Sequence, residues 1–165
     1  MLLDALTLLS GDGVNAATLT GQTVLAIGAT ASTNAIDLAP NDIGQHMPGD
    51  VGIGRDLFVC VRALVDLASA GPATLQIQLV LADDPNLSVN LALVYASRIY
   101  AYSEVKRTTD LSFRWPPIVT GAPQRYVGLR YVIGGAGLSA GSFWAATTAD
   151  RDSLGPIFNT TWSIR

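Results

Sequence analysis

From Thr74 to Leu81 the chain alternates with a period of two: Leu75, Ile77, Leu79 and Leu81 fall on one side, Gln76, Gln78 and Val80 on the other. Successive side chains of a strand point to opposite faces, so this pattern specifies a β-strand with one buried face and one mostly polar face. The four residues Asp83-Asp84-Pro85-Asn86 then supply turn chemistry. Aspartate side chains accept local backbone hydrogen bonds and proline fixes φ, so the strand stops there. A strand with one buried face belongs in a sheet that has a second layer over its apolar side.

Other segments agree. Arg125 to Ile133 reads as a second strand, with Val127, Leu129, Tyr131 and Ile133 on one face and Tyr126, Gly128 and Arg130 on the other. Gly134-Gly135-Ala136-Gly137 ends it, and Ser142 to Thr147 is expected to return as its hairpin partner. Shorter strands are expected at Thr23 to Ile27, Ala35 to Leu38, Leu91 to Ala96 and Leu111 to Phe113. Leu57 to Ala68 fits a helical stripe as well as a strand; the β-branched Val59, Val61 and Val65 favour strand. Eight or so short strands separated by glycine and proline turns give an all-β fold class, a jelly roll or antiparallel β-sandwich. The expected organisation is an extended N-terminal arm over 1–28, the β domain over 29–147 with a long loop over 40–55, and a C-terminal tail over 148–165.

Composition narrows the function. Among 165 residues only 14% are Asp, Glu, Lys or Arg, against about 25% in an ordinary soluble domain. Lys106 is the single lysine and Glu104 the single glutamate, while nine arginines are present. Charge is depleted where protein surfaces meet, and the planar guanidinium suits fixed contacts, so the balance points toward an assembly. The net charge of −3 argues against sequence-independent nucleic-acid binding, which needs clustered cations. No apolar run reaches the length of a membrane span. The opening Met1-Leu2-Leu3-Asp4 carries an acid where a secretory signal carries basic residues, so synthesis in the cytoplasm is expected. Cys60 is the lone cysteine, inside the apolar run Leu57 to Val65, and reads as a buried thiol.

Candidate chemistry is sparse. Gly135-Ala136-Gly137-Leu138-Ser139-Ala140 has the spacing of a dinucleotide fingerprint, but Gly141-Ser142-Phe143-Trp144 after it reads as strand. Such a motif works only where a helix begins, so this is a loop. His46, the only histidine, shares its loop with Asp42 and Asp50 and has no nucleophile in view. Asp83-Asp84 lacks the further oxygen donors of a calcium loop. No catalytic residue, cofactor or metal ligand is assigned. Trp115-Pro116-Pro117 presents a rigid indole that fits either core or interface, and Phe158 and Trp162 in the tail fit docking on a neighbour or packing back on the body.

Several segments together resemble the capsid cement (decoration) proteins of short-tailed bacteriophages, the Bordetella-phage-type cement family. They are Met1-Leu2-Leu3-Asp4-Ala5, the run Ala31-Ser32-Thr33-Asn34-Ala35-Ile36-Asp37-Leu38, the strand Ala73 to Leu79 with Asp83-Asp84, and Arg125 to Tyr131 followed by Leu138 to Phe143. The match is collinear over most of 1–147, while Ser10 to Gly28 runs longer than the family pattern and the tail beyond Thr148 is additional. The resemblance implies a jelly roll, without enzymatic activity, on the outer surface of an icosahedral head. Its implied partners are the major capsid protein and other copies of itself, as a dimer or trimer at local symmetry axes. The contact candidates that follow are Leu2, Leu3, Asp4, Ser32, Thr33, Asn34, Trp115, Phe158 and Trp162. The competing expectations are a carbohydrate- or receptor-binding module on the virion that stacks sugars on Trp115, Trp144 and Trp162, and an enzyme using His46.

Overall fold

Both long alternating segments are strands at the centre of one sheet. The computed structural model describes residues 8–12, 19–38, 57–107, 109–116 and 124–148. Eleven strands are present among them: β1 Leu8–Ser10, β2 Gln22–Thr23, β3 Gly28–Ala31, β4 Ile36–Asp37, β5 Phe58–Ala63, β6 Thr74–Ala82, β7 Ala92–Ala96, β8 Tyr100–Ala101, β9 Phe113–Arg114, β10 Tyr126–Gly134 and β11 Ser142–Thr148. One 3₁₀ turn, Tyr102–Glu104, follows β8. The smaller sheet has the order β1-β11-β5-β9, with β2 also on β11; the larger has the order β3-β10-β6-β7, with β4 on β10 and β8 on β6. All the pairings are antiparallel.

Taking β1 with β2, β3 with β4 and β7 with β8 as single interrupted strands leaves eight. First then pairs with last (β1·β11), second with seventh (β3·β10), third with sixth (β5·β9) and fourth with fifth (β6·β7). Successive pairs alternate between the two sheets. A ribbon of four antiparallel pairs rolled in this way is a jelly roll, which agrees with the all-β expectation.

Two expectations are corrected by that winding. The segment from Ser142 does form a strand, but it is not the hairpin partner of β10: β11 lies in the opposite sheet, between β1 and β5. The link between them is a crossing with hydrogen bonds of its own. Leu138 N–H donates to Leu25 O at 2.9 Å, and Ser139 N–H donates to Ala68 O at 2.8 Å. Gly135 begins this crossing at φ +76°, with Pro72 O where a Cβ would stand, so the backbone turns where no other residue type fits. The second correction concerns the segment read as an arm. Leu8–Ser10 and Gln22–Thr23 are strands of the smaller sheet, and Leu9 is fully buried; residues 1–7 and 13–18 lie outside those described.

Smaller shifts have local causes. The strand expected over Thr23 to Ile27 ends at Thr23, and the exposed Leu25 and Ile27 belong to the connection into β3. Leu111 is buried just before β9 rather than inside it. Leu57 to Ala68 resolves as strand over Phe58–Ala63. It looked helical because both its faces are buried. Val59, Val61 and Ala63 join the core between the sheets, and Cys60 joins Leu8, Trp144 and Ala146 on the outer side. The thiol is buried, as its neighbours in the sequence imply.

The core lies between the two sheets. Leu75, Ile77, Leu79 and Leu81 of β6 and Val127, Leu129, Tyr131 and Ile133 of β10 face Val59, Val61, Phe143 and Ala145 of the smaller sheet. Tyr131 and Phe143 stack across the gap with ring centroids 4.8 Å apart. The Tyr131 hydroxyl donates to Ser10 Oγ at 2.8 Å. Burial pushes that phenol well above the ordinary tyrosine range, so it stays protonated and keeps donating.

Candidate functional site

The run singled out by sequence, Ser32-Thr33-Asn34, sits where β3 gives way to β4. Ser32 is buried, and its Oγ accepts from Leu129 N–H at 3.0 Å while donating to Asn34 O at 2.8 Å. Its own N–H donates to Leu129 O at 2.7 Å. Asn34 N–H reaches Leu9 O in the smaller sheet at 2.9 Å. The side chain of Gln22, also from the smaller sheet, donates to Ala31 O at 2.6 Å and accepts from Thr33 N–H at 3.0 Å. This segment therefore ties one end of the two sheets together. Small hydroxyl residues suit the place because their side chains complete backbone hydrogen bonds where ladder pairing is interrupted. Thr33 is the exposed member of the three.

Trp115 resolves as core. It is 3% exposed, its backbone N–H donates to Leu57 O at 2.7 Å, and its indole packs with the central cluster. The indole Nε1 has no hydrogen-bond partner among the described residues. Trp144 is fully buried on the outer side of β11. Two of the three tryptophans proposed for sugar stacking are thus enclosed, which removes the main support for that reading. Leu2, Leu3, Asp4, Phe158 and Trp162 lie outside the described residues, as do the 40–55 loop with His46 and the third tryptophan's tail.

The acidic turn serves itself. Asp84 Oδ1 accepts from Ser88 N–H at 2.8 Å and Val89 N–H at 2.7 Å, and Oδ2 accepts from Asn86 N–H at 3.2 Å and the Ser88 hydroxyl at 2.8 Å. The Val89 amide first, with Ser88 and Asn86, holds this carboxyl below the ordinary aspartate value. The turn folds back so that Leu87, at φ +55°, lies over the outer face of the larger sheet with Val80 and Ala82. Gly128 makes room for it: a Cβ there would stand 2.4 Å from Leu87 Cδ1 and 2.9 Å from Ser32 Oγ. Among the described residues no group of three or more His, Cys, Asp or Glu could hold a metal ion. No helix there is long and apolar enough to cross a membrane.

Sequence reasoning missed the most distinctive surface feature. Seven large hydrophobic residues are exposed among those described, and four of them, Val89, Leu91, Leu93 and Ile99, fall within eleven residues at one edge of the larger sheet. The strand itself was expected; its edge position was not, and that position depends on pairing that sequence does not specify.

Arg125 closes the other side of that sheet. Its guanidinium forks onto Asp37, with Nε to Oδ1 at 2.8 Å and Nη2 to Oδ2 at 2.7 Å, fastening β4 beside the start of β10. The pair is solvent-exposed, so its contribution is mainly registration.

Comparison with known proteins adds identity to this geometry. No curated protein matches the chain. The family model Bbp16 matches residues 19–147. That interval spans β2 through almost all of β11, and leaves out the Met1–Ala5 segment and the tail. The match covers more than three quarters of the sequence, so the chain belongs to the Bbp16 family of Bordetella phage proteins.

Proposed function

We propose that this protein is a capsid cement protein that binds the outer surface of an icosahedral phage head and bridges major capsid subunits. The family makes it a phage structural protein associated with the virion; the match over residues 19–147 is the observation that carries the finer reading. The jelly roll, the low charge and the enclosed side-chain chemistry support it. The side chains of Ser32, Gln22 and Asp84 all bond to the protein's own backbone. Such a surface holds a partner without reacting with it, and the proposal assigns no enzymatic activity.

The physical role is linkage. A protein that binds the assembled lattice and not free subunits shifts the equilibrium toward the intact shell. Copies that also touch one another around local symmetry axes gain avidity, so each contact can be weak. The test is add-back: heads prepared without this chain are heated with and without the purified protein. Saturable binding to heads, none to unassembled capsid protein, and a higher disruption temperature are expected. Native particles that lack the chain, or that shed it with no loss of heat resistance, would end this reading.

A further inference from the structure

We infer that the β7 edge of the larger sheet is a self-docking surface, where two copies pair β7 against β7 antiparallel across a twofold axis. This locates one contact of the proposed cement assembly and rests on that reading only for its setting on the head.

Among the described residues the edge is open, and it is uncharged. Among the described residues β7 pairs with β6 alone. An edge strand offers a row of unsatisfied N–H and C=O groups, and proteins guard such edges with lysine, proline or inward charge. Here no Asp, Glu, Lys or Arg occurs between Asp84 and Arg98. Leu93 is 59% exposed and Leu91 38% exposed, with Val89 and Ile99 beyond either end. Four exposed aliphatic side chains along one edge make an apolar patch of the kind that marks an interaction site.

The occupant follows from charge. The acidic turn with Asp83 and Asp84 precedes the strand, and Arg98 follows it. Antiparallel pairing with a second copy sets Arg98 of each beside the acidic turn of the other, twice over. The Asp84 oxygens are taken by the turn, but the Asp83 carboxylate is exposed. Arg98 is exposed too, bonded to Glu104 at 3.2 Å, and a guanidinium has donors to spare. A parallel arrangement sets acid beside acid. The register is also constrained. β7 bulges after Leu93, where its pairing with β6 skips Val94, so its regular start is Ala92 and Leu93, with Leu91 leading into it. With the axis at Ala92, Leu91 of each copy lies opposite Leu93 of the other. This is an isologous contact in which the same patch serves both partners. It is also small, so the free dimer is expected to be weak, with micromolar dissociation.

The experiment is sedimentation velocity of the full chain from low to high micromolar concentration. A concentration-dependent monomer–dimer equilibrium is expected, and Leu93→Lys is expected to weaken it at least tenfold. Val65→Lys, at another exposed aliphatic position, is expected to leave it unchanged. Because Leu93 is exposed, the variant's melting temperature serves as the folding control. Separately, Leu93→Cys is expected to cross-link with a short bismaleimide, since the two positions lie diagonally across the axis. A wild-type chain that stays monomeric throughout, a dimer indifferent to Leu93→Lys, or a trimer overturns the inference. Heads bound normally by a monomeric chain overturn it while leaving the cement reading intact; a dimer that ignores heads does the reverse.

Discussion

Ser32→Ala tests whether the small hydroxyl residues of the 31–38 run are structural. Deleting Oγ removes the acceptor of Leu129 N–H and the donor to Asn34 O. Leu129 is fully buried, so its amide cannot turn to bulk water. The vacated space is no larger than a hydroxyl and is walled by Gly128 and Leu87, too small to admit a water molecule. A buried donor left unsatisfied costs about 1–3 kcal/mol. Asn34 is only half-buried and recovers a partner from solvent, so the total is set near the middle of that range, about 2 kcal/mol. For a domain of this size each 1 kcal/mol lowers the melting temperature by about 2–4 °C, giving about 4–8 °C in all. The assays are urea denaturation at constant m and amide exchange, in which the Leu129 amide is expected to lose protection ahead of its neighbours in β10. Thr33→Ala is the control. Thr33 is exposed and uses its backbone N–H, not its hydroxyl, to reach Gln22, so it is expected to stay within about 0.5 kcal/mol of wild type. Equal stability of Ser32→Ala and Thr33→Ala, with Leu129 exchange unchanged, would refute the reasoning and return the run to the surface-contact role.

Three further outcomes are expected. Tyr131→Phe keeps the stack on Phe143 but leaves Ser10 Oγ without its donor, so urea unfolding should show a loss of about 1–2 kcal/mol. Gly128→Ala drives a methyl into Leu87 and Ser32; calorimetry should show about 1–3 kcal/mol of destabilisation, and Leu87→Ala should cost less in that background than in the wild type. Acid should loosen the 83–90 turn through Asp84. Its folded pKa is depressed, chiefly by the Val89 amide, so the stabilisation is present above the ordinary aspartate value and is lost as pH falls through the folded one. Exchange at the Ser88 and Val89 amides should therefore rise on acidification in the wild type and be pH-insensitive in Asp84→Asn beyond intrinsic chemistry.

How much of this was legible in the sequence follows from which forces are local. β6 and β10 were readable almost to the residue because each buries one face, and the period of two records that directly. The Asp84 turn was readable because its hydrogen bonds close within five residues. The β10–β11 relation was not. A glycine-rich link between two strands reads as a hairpin, and only the crossing bonds to Leu25 and Ala68 send β11 into the other sheet. β5 was ambiguous for a related reason: burial on both faces erases the alternation that separates strand from helix. Trp115 was undecidable because an indole beside prolines suits a core and an interface equally. The exposed β7 edge was invisible because Leu91 and Leu93 have the same composition as buried strand residues, and only sheet order puts them outside.

The two sheets are unequal, and that inequality limits where a partner can act. In the smaller sheet β11 is buried from Phe143 through Thr148 on both faces, with Trp144, Cys60 and Ala146 forming a second apolar cluster outside the main core. A strand enclosed on both sides cannot meet a partner without first losing what encloses it. The larger sheet carries Gln76, Gln78, Arg130 and Val132 half-exposed on its outer face, and Gln78 Nε2 donates to Gln76 Oε1 at 3.0 Å. Among the described residues its own loop covers the Val80–Gly128 end, through Leu87. The described surface that is both apolar and open therefore belongs chiefly to the larger sheet and its β7 edge. The double burial of the smaller sheet gives the larger one a fixed base to pack against, so a contact at the β7 edge would be made by a strand whose supporting core is already in place.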